Sequence, residues 1–283
     1  MAMTVNTNIA SLTVQKNLNR SSDALSISMA RLSSGLRINS AKDDAAGMQI
    51  AARMESQVRG QGIAIRNANN AISMANTAEG ALREISEIVQ HMRGLALQAR
   101  NDNYGSEQRL SLNQEFAQKS DELTRITGYT NLGGKKLLDG TAGIMEFQVG
   151  AEVGEVNRVS VTLDKKFDAV SLGVASTVAG LSGATNAEAH TNIDNALTAL
   201  DAALTQINAT RAELGAVTNR LSSTISNLQN MNENAGAALG RIQDVDFAAE
   251  TAELTKQQTL QQASTAVLAQ ANQLPAAVLK LLQ

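Results

Sequence analysis

The 283-residue chain contains no cysteine and a single proline, Pro275. The lack of cysteine excludes disulfides, thiolate metal sites and a thiol nucleophile. Proline removes a backbone donor and clashes with the preceding turn of a helix. Its absence from the first 274 residues therefore permits very long helices.

Aromatic residues are almost as scarce. They make up 2% of the chain, with no Trp, although hydrophobic residues reach 43%. Enzyme interiors use aromatic side chains as bulky anchors. Here Ala, Leu, Ile and Met must form the core, which favours thin seams between helices over a deep globular interior.

The charge balance and the short apolar runs exclude two classes of partner. A net charge of −3 and a pI near 5.5 give no basic stripe of the kind that nucleic-acid binding needs. No apolar run approaches the roughly 20 residues that cross a bilayer. We expect no nucleic-acid partner and no membrane insertion. The opening residues also lack a basic region followed by an apolar block, so no signal peptide is predicted.

Motifs of catalysis are missing as well. His91 and His190 are the only histidines, and neither H-E-x-x-H nor G-x-x-x-x-G-K-[ST] occurs. Gly133 and Gly134, followed by Lys135, are more typical of a turn than of a phosphate-binding loop. We therefore expect no catalytic residue, no metal ion and no cofactor, and the chain is not predicted to be an enzyme.

Both ends of the chain are amphipathic helical stretches. Apolar residues recur there mostly at intervals of three, four or seven, which places them along a helix face. Such a face must be covered, either by the other end of the chain or by another molecule. The residues that we expect to form the resulting polymerisation core are Ile9, Leu12, Leu18, Leu25, Leu32, Val267, Leu274, Val278 and Leu281.

Between the ends, the chain is predicted to run out and back. A helix over 45–99 would span roughly 80 Å at about 1.5 Å per residue, and a shorter helix opens at Ser106 and stops at Gly128. Alternating apolar residues around Phe147 and Val161 predict a β-hairpin. Residues 168–188, rich in Gly, Ser, Ala and Thr, predict a surface loop, and a second long helix begins near Asn192.

The predicted fold is therefore mainly α. It is a long antiparallel coiled-coil-like helical bundle with a small β-hairpin region between the helical halves. We expect an inner terminal domain of residues 1–44 and 243–283. A rod domain would comprise 45–164 and 190–242, with a residual variable surface loop at 165–189.

Several segments resemble the signatures of bacterial flagellins. At the amino end these are NTNIASLTVQKNLNRSS and SMARLSSGLRINSAKDDAAGMQIAARM. In the middle they are LTRITGYTNLGGKKLLDG, FQVGA and LGAVTNRLSSTISNL. The last is TKQQTLQQASTAVLAQANQLPAAVLKLLQ at the carboxyl end. Together they cover about 1–150 and 190–283 in the expected order.

The resemblance implies a structural subunit that polymerises with itself into the extracellular flagellar filament for swimming. It implies paired terminal segments lining the inner tube, and an outer variable region that is nearly absent here. It also implies export in an unfolded state by the flagellar type III apparatus, with an export chaperone and the cap and junction proteins as partners. The nearest alternative is a hook–filament junction protein, and a more distant one is a host-signalling ligand.

The resemblance also suggests two groups of polar sites. Charges at the break between inner and outer helices would either be solvated or pair between subunits: Arg31, Arg37, Asp43 and Asp44. Residues matching the surface read by a host Toll-like receptor are Arg93, Leu95, Gln98 and Glu115. His91 and Gly94 depart from that pattern, since many activating members have Arg and Glu there. Leu95 as a seam residue and Arg93 as a plain surface charge is the competing interpretation.

Overall fold

The computed structural model describes residues 7–183 and 185–281, and for 274–281 the helical backbone alone. The chain forms two compact units. The terminal unit combines Met1–Val58 with Glu233–Gln283, and the central unit is Arg59–Asn232. The terminal unit also takes in residues 45–58 and 233–242, which lie beyond the expected limits at 44 and 243.

Helices account for most of the described residues. They are α1 Ile9–Ser34, α2 Ala45–Ala99, α3 Ser106–Tyr129, α4 Asn186–Gln243 and α5 Phe247–Leu281. The 55 residues of α2 and the 58 residues of α4 contain no proline, so nothing removes a donor from their hydrogen-bond ladders. In the described ranges, none of these helices is apolar enough over a sufficient length to cross a membrane.

Helix α4 begins six residues earlier than the apolar period predicts. The Thr185 amide donates to Glu188 Oε2 over 3.2 Å, and the Glu188 amide donates to Thr185 Oγ1 over 3.3 Å. This reciprocal pair is a capping box, which satisfies two amide donors at a helix start. The sequence signal for this earlier helix start was the T-x-x-E spacing at 185–188.

The central unit is built on a heptad seam. Along α2, one series of buried residues recurs at alternating intervals of three and four, a period of 3.5 that produces left-handed supercoiling. They are Gln61, Ala64, Ala68, Ala71, Ala75, Ala78, Leu82, Ile85, Val89, Met92, Ala96 and Ala99. On α4, the buried residues of the seam are Ile193, Ala196, Leu200, Ala203, Ile207, Thr210, Leu214, Leu221 and Leu228. This pattern confirms the predicted coiled-coil-like bundle.

Ion pairs show that α2 and α4 run antiparallel. Arg100 pairs with Asp194 at 2.9 Å and Arg93 pairs with Asp201 at 2.7 Å. Further back along α2, Glu79 pairs with Arg211 at 2.8 Å. The numbering falls on one helix as it rises on the other, as an out-and-back path requires.

Helix α3 and the strands cover the rest of this seam. Phe116 and Leu123 of α3 are fully buried in the same core cluster as Leu82. Strands β3 (Gly143–Gln148) and β4 (Arg158–Leu163) form the predicted antiparallel hairpin, with Met145 opposite Val161. Two-residue strands β1 (Asn131–Leu132) and β2 (Lys135–Lys136) pair in the turn that precedes it.

The segment between β4 and α4 differs from the surface loop that its composition predicted. Its apolar side chains enter the main core cluster of the central unit: Phe167, Ala169, Leu172, Val174, Ala175, Ala179 and Leu181. Side chains of α3 hold its backbone. Thr127 Oγ1 donates to the Phe167 carbonyl over 3.0 Å, and Asn113 Oδ1 accepts from the Leu181 amide over 2.8 Å. The segment is therefore part of the core rather than an excursion from it.

Candidate assembly surface

The terminal helices α1 and α5 pair antiparallel. Near the start of α1, Asn8 Nδ2 donates to the Ala271 carbonyl over 2.9 Å, and Ser11 Oγ donates to Asn272 Oδ1 over 2.8 Å. Near its end, Arg31 lies 3.6 Å from Glu250. The two ends of the chain are therefore partners for each other, as the sequence predicted.

The seam between these helices is small and polar. Its most deeply buried side chains on α1 are Ser21 and Ser28, at 8% and 3% exposure. The predicted core residues Leu18, Leu25 and Leu32 are half-buried along it. Helix α5 contributes half-buried Leu254, Gln257, Gln261, Ser264 and Leu268, and buried Ala271. Such a seam buries little apolar area, and its hydrophobic stabilisation is correspondingly small.

Many large apolar side chains of the terminal unit are exposed. Among its described residues, the buried hydrophobic ones are Ile38, Ala51 and Ala271. The exposed ones are Ile9, Leu12, Ile27, Met29, Met48, Ile50, Phe247, Leu260 and Val267. Exposure reaches 70% at Ile9, 57% at Leu12 and 50% at Val267. Large apolar side chains exposed in such number favour a surface of association.

The predicted polymerisation residues thus fall into two groups. Ile9, Leu12 and Val267 lie on the outer face, whereas Leu18, Leu25 and Leu32 flank the seam. The side chains of Leu274, Val278 and Leu281 lie outside the described residues. Ile27 and Phe247 were missed as outer-face candidates. For Ile27 the signal was its distance of 18 residues from Ile9, which is five full turns of an α-helix.

The two predicted inter-subunit arginines already have partners within the chain. Arg31 faces Glu250 across the α1–α5 seam. Arg37 Nη2 donates to the Ile242 carbonyl over 2.6 Å. Each arginine therefore bridges two segments of the same chain. Pairing of either arginine with a neighbouring subunit stays a prediction.

The two predicted aspartates form local turns and caps. Asp43 Oδ2 accepts from the Ser40 amide over 2.9 Å and from Ser40 Oγ over 3.0 Å. These bonds from Ser40 favour the charged carboxylate and lower the pKa of Asp43. Asp44 Oδ1 accepts from the Gly47 amide over 2.9 Å, which caps α2. Contact with another subunit stays a prediction here too.

Of the predicted receptor residues, Arg93 and Leu95 have different environments. Arg93 Nε donates to Asp201 Oδ1 over 2.7 Å on the surface of the central unit. That hydrogen bond, together with the negative charge of Asp201, raises the pKa of Arg93. Leu95 is 7% exposed and belongs to the core cluster. Leu95 therefore lies in the core of the central unit instead of on its surface.

The other two predicted receptor residues are exposed. Gln98 donates from Nε2 to the Tyr104 hydroxyl over 2.9 Å. Glu115 of α3 lies 3.8 Å from His91 Nε2 on α2. Arg93, Gln98 and Glu115 thus remain available on the central unit. Leu97 and Leu110, each about half exposed at 49% and 51%, are apolar additions that the family pattern did not supply.

Comparisons with known proteins agree on one family. Residues 5–143 match the bacterial flagellin N-terminal helical region, and residues 197–282 match the bacterial flagellin C-terminal helical region. The chain is similar to flagellin B of Vibrio anguillarum, at 36% identity over 376 positions, and to flagellin E of Vibrio cholerae serotype O1, at 37% over 377 positions. All of this chain and all of each relative are covered. The alignments exceed the 283 residues of this chain, so these relatives carry residues that it lacks.

Two solved structures are also similar. A flagellin from Bacillus cereus matches with 32% identity and a TM-score of 0.47, covering 58% of this chain and 88% of that one. A putative flagellar hook-associated protein from Vibrio parahaemolyticus matches with a TM-score of 0.58 at 14% identity, covering 71% of this chain and all of that one. The second likeness concerns the fold alone.

Proposed function

We propose that this chain, which belongs to the bacterial flagellin family, joins its neighbours in the filament through the outer apolar face of α1 and α5. Flagellins are structural proteins and not enzymes, and they self-assemble into the extracellular filament of the flagellum. The chain is accordingly a filament subunit that serves motility. What is proposed is the surface through which it assembles.

One observation carries this proposal. The described part of the terminal unit exposes seven large apolar residues on α1 and α5 and buries Ile38 as its one large apolar side chain. Covering a half-exposed aliphatic side chain is worth on the order of 1 kcal/mol. Several such side chains on each copy supply a driving force for association. The seam between α1 and α5 within one chain does not cover them.

Seeded growth tests the surface. Subunits dissociated by heat are added to short filament seeds, and elongation is followed by electron microscopy. Val267→Ser should raise the subunit concentration needed for growth, since it removes apolar area from the outer face. Val178→Ser is the matched control, because Val178 is 67% exposed in the central unit. Equal growth of the two variants would refute the proposed surface.

Export in an unfolded state through the flagellar type III apparatus is the second part of the proposal. The cysteine-free sequence supports it, because such a chain cannot become cross-linked before or during passage. An export chaperone would hold the chain beforehand, and the cap and junction proteins would meet it at the filament ends. In cells whose type III export gate is deleted, the chain should stay inside. Its appearance in the medium of those cells would contradict this route.

Recognition by a host Toll-like receptor is the third part. Gln98 on α2 and Glu115 on α3 are exposed and Arg93 on α2 is half-buried, and Leu95 lies in the core. Glu115→Ala should lower activation of receptor-bearing cells by the dissociated subunit. Glu213→Ala, at an exposed position on α4, is the control. If both variants activate as the unmodified chain does, the contact is not made by Glu115.

A hook–filament junction protein is the alternative function. The likeness in fold to a putative hook-associated protein keeps this alternative open. A junction protein would add to a seed and stop, whereas a filament subunit continues to elongate it. Filaments that lengthen with added subunits would favour the filament subunit, and a single terminal layer would favour the junction protein.

A further inference from the structure

In the terminal unit, the segment between α1 and α2 is hydrogen-bonded to the segment between α4 and α5. We call these two segments the breaks. The Arg37 amide donates to the Gln243 carbonyl over 2.7 Å, and the Val245 amide donates to the Gly35 carbonyl over 3.0 Å. These bonds surround an antiparallel β-bridge between Leu36 and Asp244. We call residues 35–37 and 242–245 the clasp.

Side chains strengthen the clasp. The Arg37 guanidinium adds its bond to the Ile242 carbonyl at 2.6 Å. Asn39 Nδ2 donates to Ser34 Oγ over 2.8 Å, at the last residue of α1. Hydrogen bonds from a charged donor are roughly twice as strong as neutral ones. The clasp is therefore held by more than its two backbone bonds.

Glycines fix the backbone on both sides of the break. Gly35 has φ +72° and its amide donates to the Arg31 carbonyl over 2.9 Å, which ends α1 in a left-handed cap. Gly47 lies against Ile38, so that a Cβ there would stand 2.8 Å from Ile38 Cδ1. Ile38 is 5% exposed. The break is thus a folded joint with its own small core.

The α1–α5 seam defines its register only in part. Its deepest α1 side chains are the small, polar Ser21 and Ser28, and a few polar contacts cross it, such as Ser11 to Asn272 and Arg31 to Glu250. Interlocking of large apolar residues specifies a single packing arrangement more strongly. A further constraint at one end of the seam would therefore help to align the two helices.

Helices α1 and α5 extend by nearly equal lengths from the clasp to their far contact. Asn8 lies 27 residues before Gly35, and its partner Ala271 lies 26 residues after Val245. Over those lengths each helix rises about 40 Å. The contact at the far end is where equal advance from the clasp would place it.

We propose that the clasp sets the register of α1 against α5. It thereby decides which residues of α1 and α5 lie at the same level on the outer face. The register itself is a property of one chain. Its consequence for assembly rests on the proposed function of the outer face.

The cysteine-free sequence gives a clean test. Ser11→Cys with Asn272→Cys reports the native register, because Ser11 Oγ and Asn272 Oδ1 are 2.8 Å apart. Ser11→Cys with Leu268→Cys reports a slip of about one turn. Each full-length double variant is copolymerised as a minor component with the unmodified chain. Any disulfide then forms within one chain.

Arg37→Ala in these backgrounds should lower the ratio of native to slipped cross-link about ten-fold, the effect of losing one charged hydrogen bond. Gly35→Val is the second clasp variant and should lower the ratio further. Arg20→Ala, an exposed arginine within α1, should leave the ratio unchanged. A chain that does not enter filaments is cross-linked in dilute solution instead.

Unchanged ratios in Arg37→Ala and Gly35→Val would overturn the clasp as the register device. Should Gly35→Val abolish both cross-links by unfolding α1, Arg37→Ala alone decides. The result of the cross-linking test does not depend on whether the proposed assembly surface is correct. A failure of Val267→Ser to affect growth removes the assembly surface but leaves the cross-link ratio as a measure of register.

Discussion

Arg109 of α3 donates from Nε to the carbonyl of Ala99, the last residue of α2, over 3.0 Å while the arginine is only 2% exposed. The same guanidinium donates from Nη1 to Asn186 Oδ1 over 2.8 Å at the start of α4. One buried charge therefore ties together the ends of three helices. An arginine suits this position because its fork of donors reaches several acceptors at once.

Replacing Arg109 should destabilise the central unit. Arg109→Ala leaves the Ala99 carbonyl and the Asn186 amide oxygen without their donor, which should cost about 3 kcal/mol of unfolding free energy. Chemical denaturation measures this cost. Arg125→Ala on the same helix is the control: Arg125 is exposed and pairs with Glu122, and losing such a surface pair should change the unfolding free energy far less. Equal losses in the two variants would contradict the tie.

The turn that precedes α2 should loosen in acid. Hydrogen bonds from Ser40 lower the pKa of Asp43 below its ordinary value of 3.8. A lowered folded-state pKa means that the carboxylate stabilises the turn above the ordinary value, and that this contribution disappears as the pH falls through the lowered one. Protection of the Asn39 and Ser40 amides, corrected for intrinsic exchange, should therefore fall as the pH drops below 3.8 and through the lowered pKa.

The variant Asp43→Asn separates protonation of Asp43 from general acid unfolding. Asp43→Asn cannot ionise, so protection of those amides should be low at pH 5 and should change little on acidification. Asp23→Asn, within α1, should keep the pH dependence of the unmodified chain. A full pH dependence in Asp43→Asn would show that another group controls the turn.

The connecting segment gives a prediction that its composition would not suggest. Leu181 is fully buried, whereas Val178 in the same segment is 67% exposed. Leu181→Ala should lower the unfolding free energy by about 2–4 kcal/mol through the cavity that it leaves. Val178→Ala should change it by less than about 0.5 kcal/mol. Similar small changes at both positions would mean that the segment is not part of the core.

The helices and the hairpin follow from local patterns. Spacing by threes and fours along α2 and α4 can be counted in the sequence, and so can the alternation around Phe147 and Val161. These periods reflect backbone geometry that every residue of the element shares. For that reason the fold class and the helical bundle were predictable.

Which apolar residues are covered was less predictable. Ile9 and Leu18 both fit the stripe of α1, yet nine residues are two and a half turns, so they lie on opposite faces. Only the position of α5 decides that Leu18 enters the seam. Leu95 is similar, because a family pattern identifies it without showing that its side chain lies in the core. Leu181 gave no periodic signal, since the connecting segment has no regular secondary structure.

The proposed assembly surface can be tested most directly by labelling single cysteines in a chain that has none of its own. Val267→Cys and Val178→Cys are compared in dissociated subunits and in filaments. Polymerisation should slow thiol labelling at position 267 by at least about ten-fold, as burial of the outer face requires, and should leave the rate at position 178 nearly unchanged. If position 267 reacts equally fast in filaments and in free subunits, copies of the chain do not meet through the outer face of α1 and α5.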